Sequence, residues 1–348
     1  MSLNFNNNEC FIIAELSANH NNDFDLAIKT IRAIAGSGAD AIKVQTYKPE
    51  SLTIDLDTGY FAPRKEGLWK GYTPWKLYTE ASLPYEWQEK LKKITEDLGL
   101  IFFSSVFDRE GVDFLESIDN PIYKIASFEI TDIPLIEYAA SKGKPMIIST
   151  GVSEIDDIQL AIDTCIKTGN RDITLLKCTS QYPASISDAN LLTIPDMKKR
   201  FGVNIGVSDH THGSIVPMVA VSQGARVIEK HFILSRKLGG PDSSFSMEPN
   251  EFKQMVESVR EVEAALGKET YFVSEKDKNR RRSLFVVKDI KENEVITEEN
   301  VRSIRPGFGL HPKYLKQILG KYVKHDLKRG TPLKMTDVID FDHNGKES

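Results

Sequence analysis

The stretch GVSDHTHG, residues 206–213, closes an apolar run with Asp209, His210 and His212, and a third histidine, His231, ends the later run VIEKH. Imidazoles change charge near neutral pH and serve as metal ligands or proton carriers. If the two runs are neighbouring strands, His210 and His231 can converge on one divalent ion, such as Mn²⁺ or Zn²⁺, with positions left open for substrate oxygens. His212, two residues past His210, is expected to point elsewhere.

A second set is cationic and hydroxylic. Lys43 lies in AIKVQT and Lys124 in YKIAS, while Ser105, Ser127, Ser149 and Ser208 end other apolar runs. Two ammonium groups and several hydroxyls at one mouth suit a phosphate-bearing substrate held by charge-assisted hydrogen bonds. A lysine inside an apolar run needs a partner, because burying an unpaired charge is expensive. The same lysines would also serve as Schiff-base nucleophiles, as in class I aldolases, or as members of structural ion pairs. Glu15, in IIAELSANH, is the first choice for a general base or a water-positioning carboxylate. Glu129, Asp209, Glu229 and Asp242 are further acids near the same place, each also able to cap a helix or support a neighbouring group.

These residues need a scaffold that brings them together. The runs FIIAELS, AIKVQT, IFFSSV, YKIAS, PMIISTG, ITLLKCTS, VNIGVSD and RVIEKHF alternate with stretches of helical periodicity, several of them closed by glycine. Nearly continuous apolar strands, each followed by a helix, predict a (β/α)8 TIM barrel, with a doubly wound open sheet as the alternative. Active sites of barrels lie at the C-terminal ends of the strands. Most candidates above, together with Ser17, Asn19, Gln45, Lys177 and Lys230, fall at such ends, and Glu129 and Asp242 lie near the same mouth.

Residues 47–83 form a long insertion after the second strand, containing GLWKGYTPWKLYTEASLP, and read as a lid or substrate wall. An ordinary packed excursion stapled by Trp69 and Trp75 is the competing reading. The expected organisation is a barrel over residues 1–270, a charged linker over 271–282 and a small, mainly β domain over 283–348. The last contains RPGFGLHP, a rigid basic loop able to present Arg305 to an anion.

Composition narrows the class of function. Of 348 residues 27% are charged and 40% hydrophobic, and the net charge is −5, which gives no footing for a nucleic-acid binder. An anionic substrate must therefore meet a local cationic cluster. The three cysteines, Cys10, Cys165 and Cys178, form no disulfide or CxxC pattern, and neither a leader nor a membrane span is read, so a cytoplasmic protein is expected.

In order along the chain, IIAELSANHN, AIKVQTY, YKIASFE, IISTG, KCTSQYPA, GVSDHT, VIEKHF, GGPDSSFSMEP and KDIKENEVITEENVRSIRPGFGLHPK resemble the sialic acid synthases over nearly the whole chain. GLWKGYTPWKLYTEASLPYEW and RPGFGLHPKY are most similar to the pseudaminic acid synthase branch. The resemblance implies a barrel followed by an antifreeze-like (SAF) domain, in a domain-swapped homodimer where Arg305 acts in the partner's site. It implies condensation of phosphoenolpyruvate with an N-acetylated aldose, 2,4-diacetamido-2,4,6-trideoxy-L-altrose in that branch, with N-acetylneuraminate or legionaminate synthesis as the alternative. His210 and His231 would hold Mn²⁺, or Mg²⁺ or Co²⁺. Glu15 would handle water or a proton. Lys43, Ser105, Lys124, Ser127, Ser149 and Ser208 would hold phosphoenolpyruvate, and Tyr182, Asp242 and Arg305 would meet the sugar. Ser180 stands where related synthases often carry asparagine, and Leu68, Trp69 and Tyr72 are the suggested pocket walls. A pyruvate aldolase and a non-enzymatic carbohydrate- or ice-binding protein are the remoter alternatives.

Overall fold

Each apolar run becomes a strand: β1 Phe11–Glu15, β2 Ala41–Thr46, β3 Ile101–Val106, β4 Tyr123–Ile125, β5 Met146–Ser149, β6 Ile173–Cys178, β7 Asn204–Asp209 and β8 Val227–His231. All pair in parallel with their sequence neighbours, and β1 closes on β8 to complete the barrel. The structure, a computed structural model, describes residues 9–340. Residues 1–8, where no leader was read, and the end of the 283–348 domain beyond 340 lie outside the described residues.

The strands are buried on both faces, and alternate residues have opposite surroundings. Ile12, Ala14, Ile42, Val44, Ile205 and Val207 pack outward with residues of the surrounding helices. Inward, Ile13, Ala41, Phe103, Ile147, Leu176 and Val227 belong to a second apolar cluster. That cluster is the floor of the barrel. Gly206 is required beside it, because a Cβ there would lie 2.4 Å from the Val227 carbonyl oxygen and 2.6 Å from Leu176. Two residues further along, the inward positions turn polar on every strand but β6, where Cys178 stands.

Side-chain caps start the helices that return the chain to the next strand. Asp23 accepts from the Leu26 amide at 3.0 Å, Asp108 from Gly111 at 2.6 Å and Asp132 from Leu135 at 3.1 Å. The helix Thr193–Phe201, after β6, follows a long polar loop and lies outside the amphipathic stretches read from the sequence. Pro195 is tolerated in its first turn, where amides lack intrahelical partners, and Gly202 ends it at φ 66°.

The chain divides into two compact units, Met1–Gly267 and Lys268–Ser348. In the second, β9 (Ser283–Val286) pairs antiparallel with β10 (Val301–Ile304), and isolated bridges such as Ile290 with Leu327 join the rest. Its core includes Leu284, Val286, Ile296, Val301, Ile318 and Leu333. The expected linker contains a helical turn, Glu275–Lys278, capped by Ser274. The RPGFGLHP loop is tied down within this unit: Gly307 N–H donates to the Asn279 carbonyl at 2.9 Å and Gly309 N–H to Ser283 Oγ at 2.9 Å. Arg305, at the start of that loop, is exposed.

Candidate active site

Barrel register places the chemistry. Glu15 stands opposite Lys43 on one side and His231 on the other, and Ser105 stands opposite both Gln45 and Lys124. The inward polar layer is one connected network. Lys43 pairs with Glu15, donates to Ser105 Oγ at 3.0 Å and lies 3.8 Å from Glu229. Lys124 donates to Ser149 Oγ at 2.7 Å and lies 3.8 Å from the other oxygen of Glu229, which also accepts from Ser208 at 3.0 Å. Glu229 therefore stands between two ammonium groups. The sequence reading named it only among the further acids near the mouth and chose Glu15 before it, although counting back two positions from His231 along β8 sets it on the same inward face.

Burial works to raise the pKa of Glu229, and Lys124 and Lys43 overcome it, leaving Glu229 below the usual carboxylate range. For Glu15, burial and then the like charge of Glu229 outweigh Lys43, so its pKa stands above the usual value. Burial would lower Lys43, but Glu15 and Glu229 hold it protonated. At Lys124 burial wins and the pKa falls. Such a network can turn its ammonium groups and hydroxyls to an incoming dianion.

Beside it the two histidines meet, with ring centroids 5.3 Å apart. Tyr182 stacks 4.3 Å from His210, and Phe245 lies 4.9 Å from His231. His210 Nδ1 is 3.0 Å from the Thr179 carbonyl; an N–H there donates to it and aims the Nε2 lone pair away. His231 Nδ1 is buried without a hydrogen-bond partner and lies 3.8 Å from Asp242. Burial, followed by the charges of His210 and Lys43, pushes His231 well below its ordinary pKa, which favours the neutral imidazole that a metal ion requires. Burial would lower His210 too, but Cys178, with its Sγ 3.9 Å from Nδ1, raises it. Among the described residues no cluster of three or more His, Cys, Asp and Glu is arranged around a metal position. A divalent ion on this imidazole pair would complete its coordination with substrate and water oxygens, and the donor set fits that use.

Asp242 accepts from Ser17 Oγ at 2.5 Å, and Gln45 donates to both Ser17 and Glu15, at 3.0 and 3.1 Å. Ser17 holds φ at 46°, a left-handed conformation that serine rarely adopts. A short turn after β4 brings in Ser127, whose Oγ accepts from the Gly151 amide at 3.1 Å, and Glu129, whose pKa burial raises to about 7. Ser180 lies 3.7 Å from Cys178 Sγ and crowds the Cα of Gly151, where a Cβ would sit 2.1 Å from Ser180 Oγ. Ser17, Gln45, Glu129, Ser180, Tyr182 and Asp242 all line one cavity of about 480 Å³, the size of a small-molecule site.

Some expected placements do not hold. Asp209 and Lys230 form an ion pair at 2.5 Å on the outward faces of β7 and β8, because they alternate with the inward Ser208 and Glu229. In the insertion, Trp69 lines the cavity, but Leu68 is 43% exposed and Tyr72 stands against Lys76, so neither is a wall. His212 is exposed, as expected.

Residues 30–271 match the NeuB family and residues 281–339 the SAF domain. The chain is 46% identical over 331 residues to a pseudaminic acid synthase of Helicobacter pylori, covering 94% of this chain and 97% of that protein. A Campylobacter jejuni pseudaminic acid synthase is 45% identical over 338 residues, with 96% and 98% covered. An N-acetylneuraminic acid synthetase structure from Leptospira borgpetersenii, in complex with citrate, aligns with a TM-score of 0.70 at 32% identity, covering 80% of this chain and 94% of that one.

Proposed function

The chain belongs to the NeuB family, and from that premise we propose that it condenses phosphoenolpyruvate with 2,4-diacetamido-2,4,6-trideoxy-L-altrose and water to give pseudaminic acid and phosphate. The observation that carries this reading is the inward layer in which Lys43 meets Ser105, Lys124 meets Ser149 and Ser208 donates to Glu229, beside the His210–His231 pair and an adjoining sugar-sized cavity. The near full-length identity to pseudaminic acid synthases supports the choice of sugar.

Lys43 and Lys124, with Ser105, Ser127, Ser149 and Ser208, bind the phosphate and carboxylate of phosphoenolpyruvate. The enol carbon attacks the sugar aldehyde and forms the new C–C bond, and the carbonyl π pair becomes an alkoxide that takes up the proton removed from water in the next step. A divalent ion held by His210 and His231, Mn²⁺ or its relatives Mg²⁺ and Co²⁺, would polarise that aldehyde as a Lewis acid. Cationic character then develops at C2 of the former phosphoenolpyruvate, and water adds there, oriented and deprotonated by Glu15. Collapse of the adduct breaks the C–O bond, releases phosphate and leaves the 2-keto acid. Asp242, Tyr182 and Ser180 position the sugar.

Phosphate release from phosphoenolpyruvate with Mn²⁺ tests this, comparing the altrose sugar with N-acetylmannosamine and the diacetamido mannose precursor of legionaminic acid. Release with the altrose sugar alone is expected. Preference for another sugar would reassign the branch, and no release with any would overturn the synthase reading.

From the resemblance to sialic acid synthases we further propose that Arg305 meets the sugar's N-acetyl group in a second copy of the chain, within a domain-swapped homodimer; the SAF match supports the small domain that carries it. Verified heterodimers of Arg305→Ala and Glu15→Ala chains should recover turnover at one of their two sites; no recovery would count against sharing in trans. The three cysteines are unpaired and buried, which supports placing the protein in the reducing cytoplasm. No described helix is long and apolar enough to cross a membrane.

A further inference from the structure

We propose that Trp69 is a specificity-determining residue, the fixed part of an apolar wall that selects a 6-deoxy sugar over its 6-hydroxy counterpart. This rests on the synthase reading above. His231, Asp242 and Gln45 line the cavity beside the reacting network, and that is where the aldehyde must lie. The insertion adds Leu52, Arg64, Trp69, Leu77 and Tyr78 to the lining, and Phe107 joins them, its ring 5.1 Å from that of Tyr47. With the aldehyde so placed, the proposed wall requires the far end of the sugar to meet the indole of Trp69.

Trp69 is held from several sides. Its indole N–H donates to the Pro241 carbonyl at 2.9 Å, on the same segment that carries Asp242. Its ring lies 5.6 Å from Tyr182, which in turn stacks on His210, so Trp69 stands two ring contacts from the histidine pair. The Arg64 guanidinium covers the indole at 5.0 Å. The loop that bears it is closed on itself, Arg64 N–H to Tyr72 O at 2.9 Å and Gly71 N–H to Arg64 O at 2.8 Å. With its one polar atom already committed to Pro241, the indole offers a substrate only apolar surface. A terminal methyl packed on the indole gains by burial, whereas a terminal hydroxyl turned to the indole surrenders its water without replacement.

The test compares the wild type with Trp69→Phe and Trp69→Ala in phosphate release, using the 6-deoxy diacetamido sugar and the same sugar carrying a 6-hydroxyl. The wild type should favour the deoxy sugar by about tenfold or more in kcat/KM, within what an apolar pocket achieves against an added hydroxyl. Trp69→Phe, which keeps a ring, should retain most of that preference. Trp69→Ala should reduce it to below about threefold while the KM for phosphoenolpyruvate stays unchanged. Equal losses for both sugars, or a preference that survives in Trp69→Ala, would overturn the proposal while leaving the synthase reading intact. A wild type that releases phosphate with neither sugar would bring down both.

Discussion

Replacing Glu15 by glutamine is expected to lower kcat about 10²–10⁴-fold, the usual worth of a positioned general base. The amide keeps the shape and its oxygen can still accept from Lys43; its NH2 then faces Gln45, whose own amide must turn to present its oxygen for the network around it to stand. What it loses is the capacity to take a proton from water at the reacting carbon. The pH profile supplies a second readout with a definite sign. A base must be ionised, so the rate falls as pH drops below its pKa. Burial and the charge of Glu229 have raised that pKa, which moves the acidic limb upward from the ordinary carboxylate range near about 4.3. In Glu15→Gln that limb should disappear. A kcat within threefold of wild type, or an unchanged acidic limb, would remove Glu15 from the proton-transfer step.

His210→Ala and His231→Ala are each expected to reduce kcat/KM by about 10³-fold, since Lewis-acid polarisation of a carbonyl is worth several kcal/mol and each 1.36 kcal/mol is about tenfold in rate. Both rings are buried and packed against Tyr182 or Phe245, so the aromatic neighbours should keep the local fold. Calorimetric titration with Mn²⁺ reads the same assignment without turnover: binding should be present in the wild type and lost in both variants. Chelation of the wild type should abolish activity, and Mn²⁺ should restore it. Full activity in either variant, or turnover indifferent to chelation, would sink the metal assignment.

The barrel was legible in the chain because parallel strands covered on both faces must be apolar almost throughout, a pattern that the eight runs carry without reference to anything distant. Lys43, Lys124, Glu15, His210 and His231 stood out for the same reason, as ionisable groups at the ends of runs that exclude them elsewhere. Yet that continuity hides which alternate residue points inward. Where both faces are apolar, sequence does not separate Ser208 and Glu229 from Asp209 and Lys230, and closure of the barrel makes the choice. The insertion teaches the same lesson: Leu68, Trp69 and Tyr72 are equally apolar in composition, but only Trp69 meets the Pro241 carbonyl across 172 positions. The sequence by itself determined the strands and the kinds of group that crown them. Only the tertiary structure decided that Glu229 sits between two lysines and that Trp69 faces the cavity, because both depend on contacts between segments far apart in the chain.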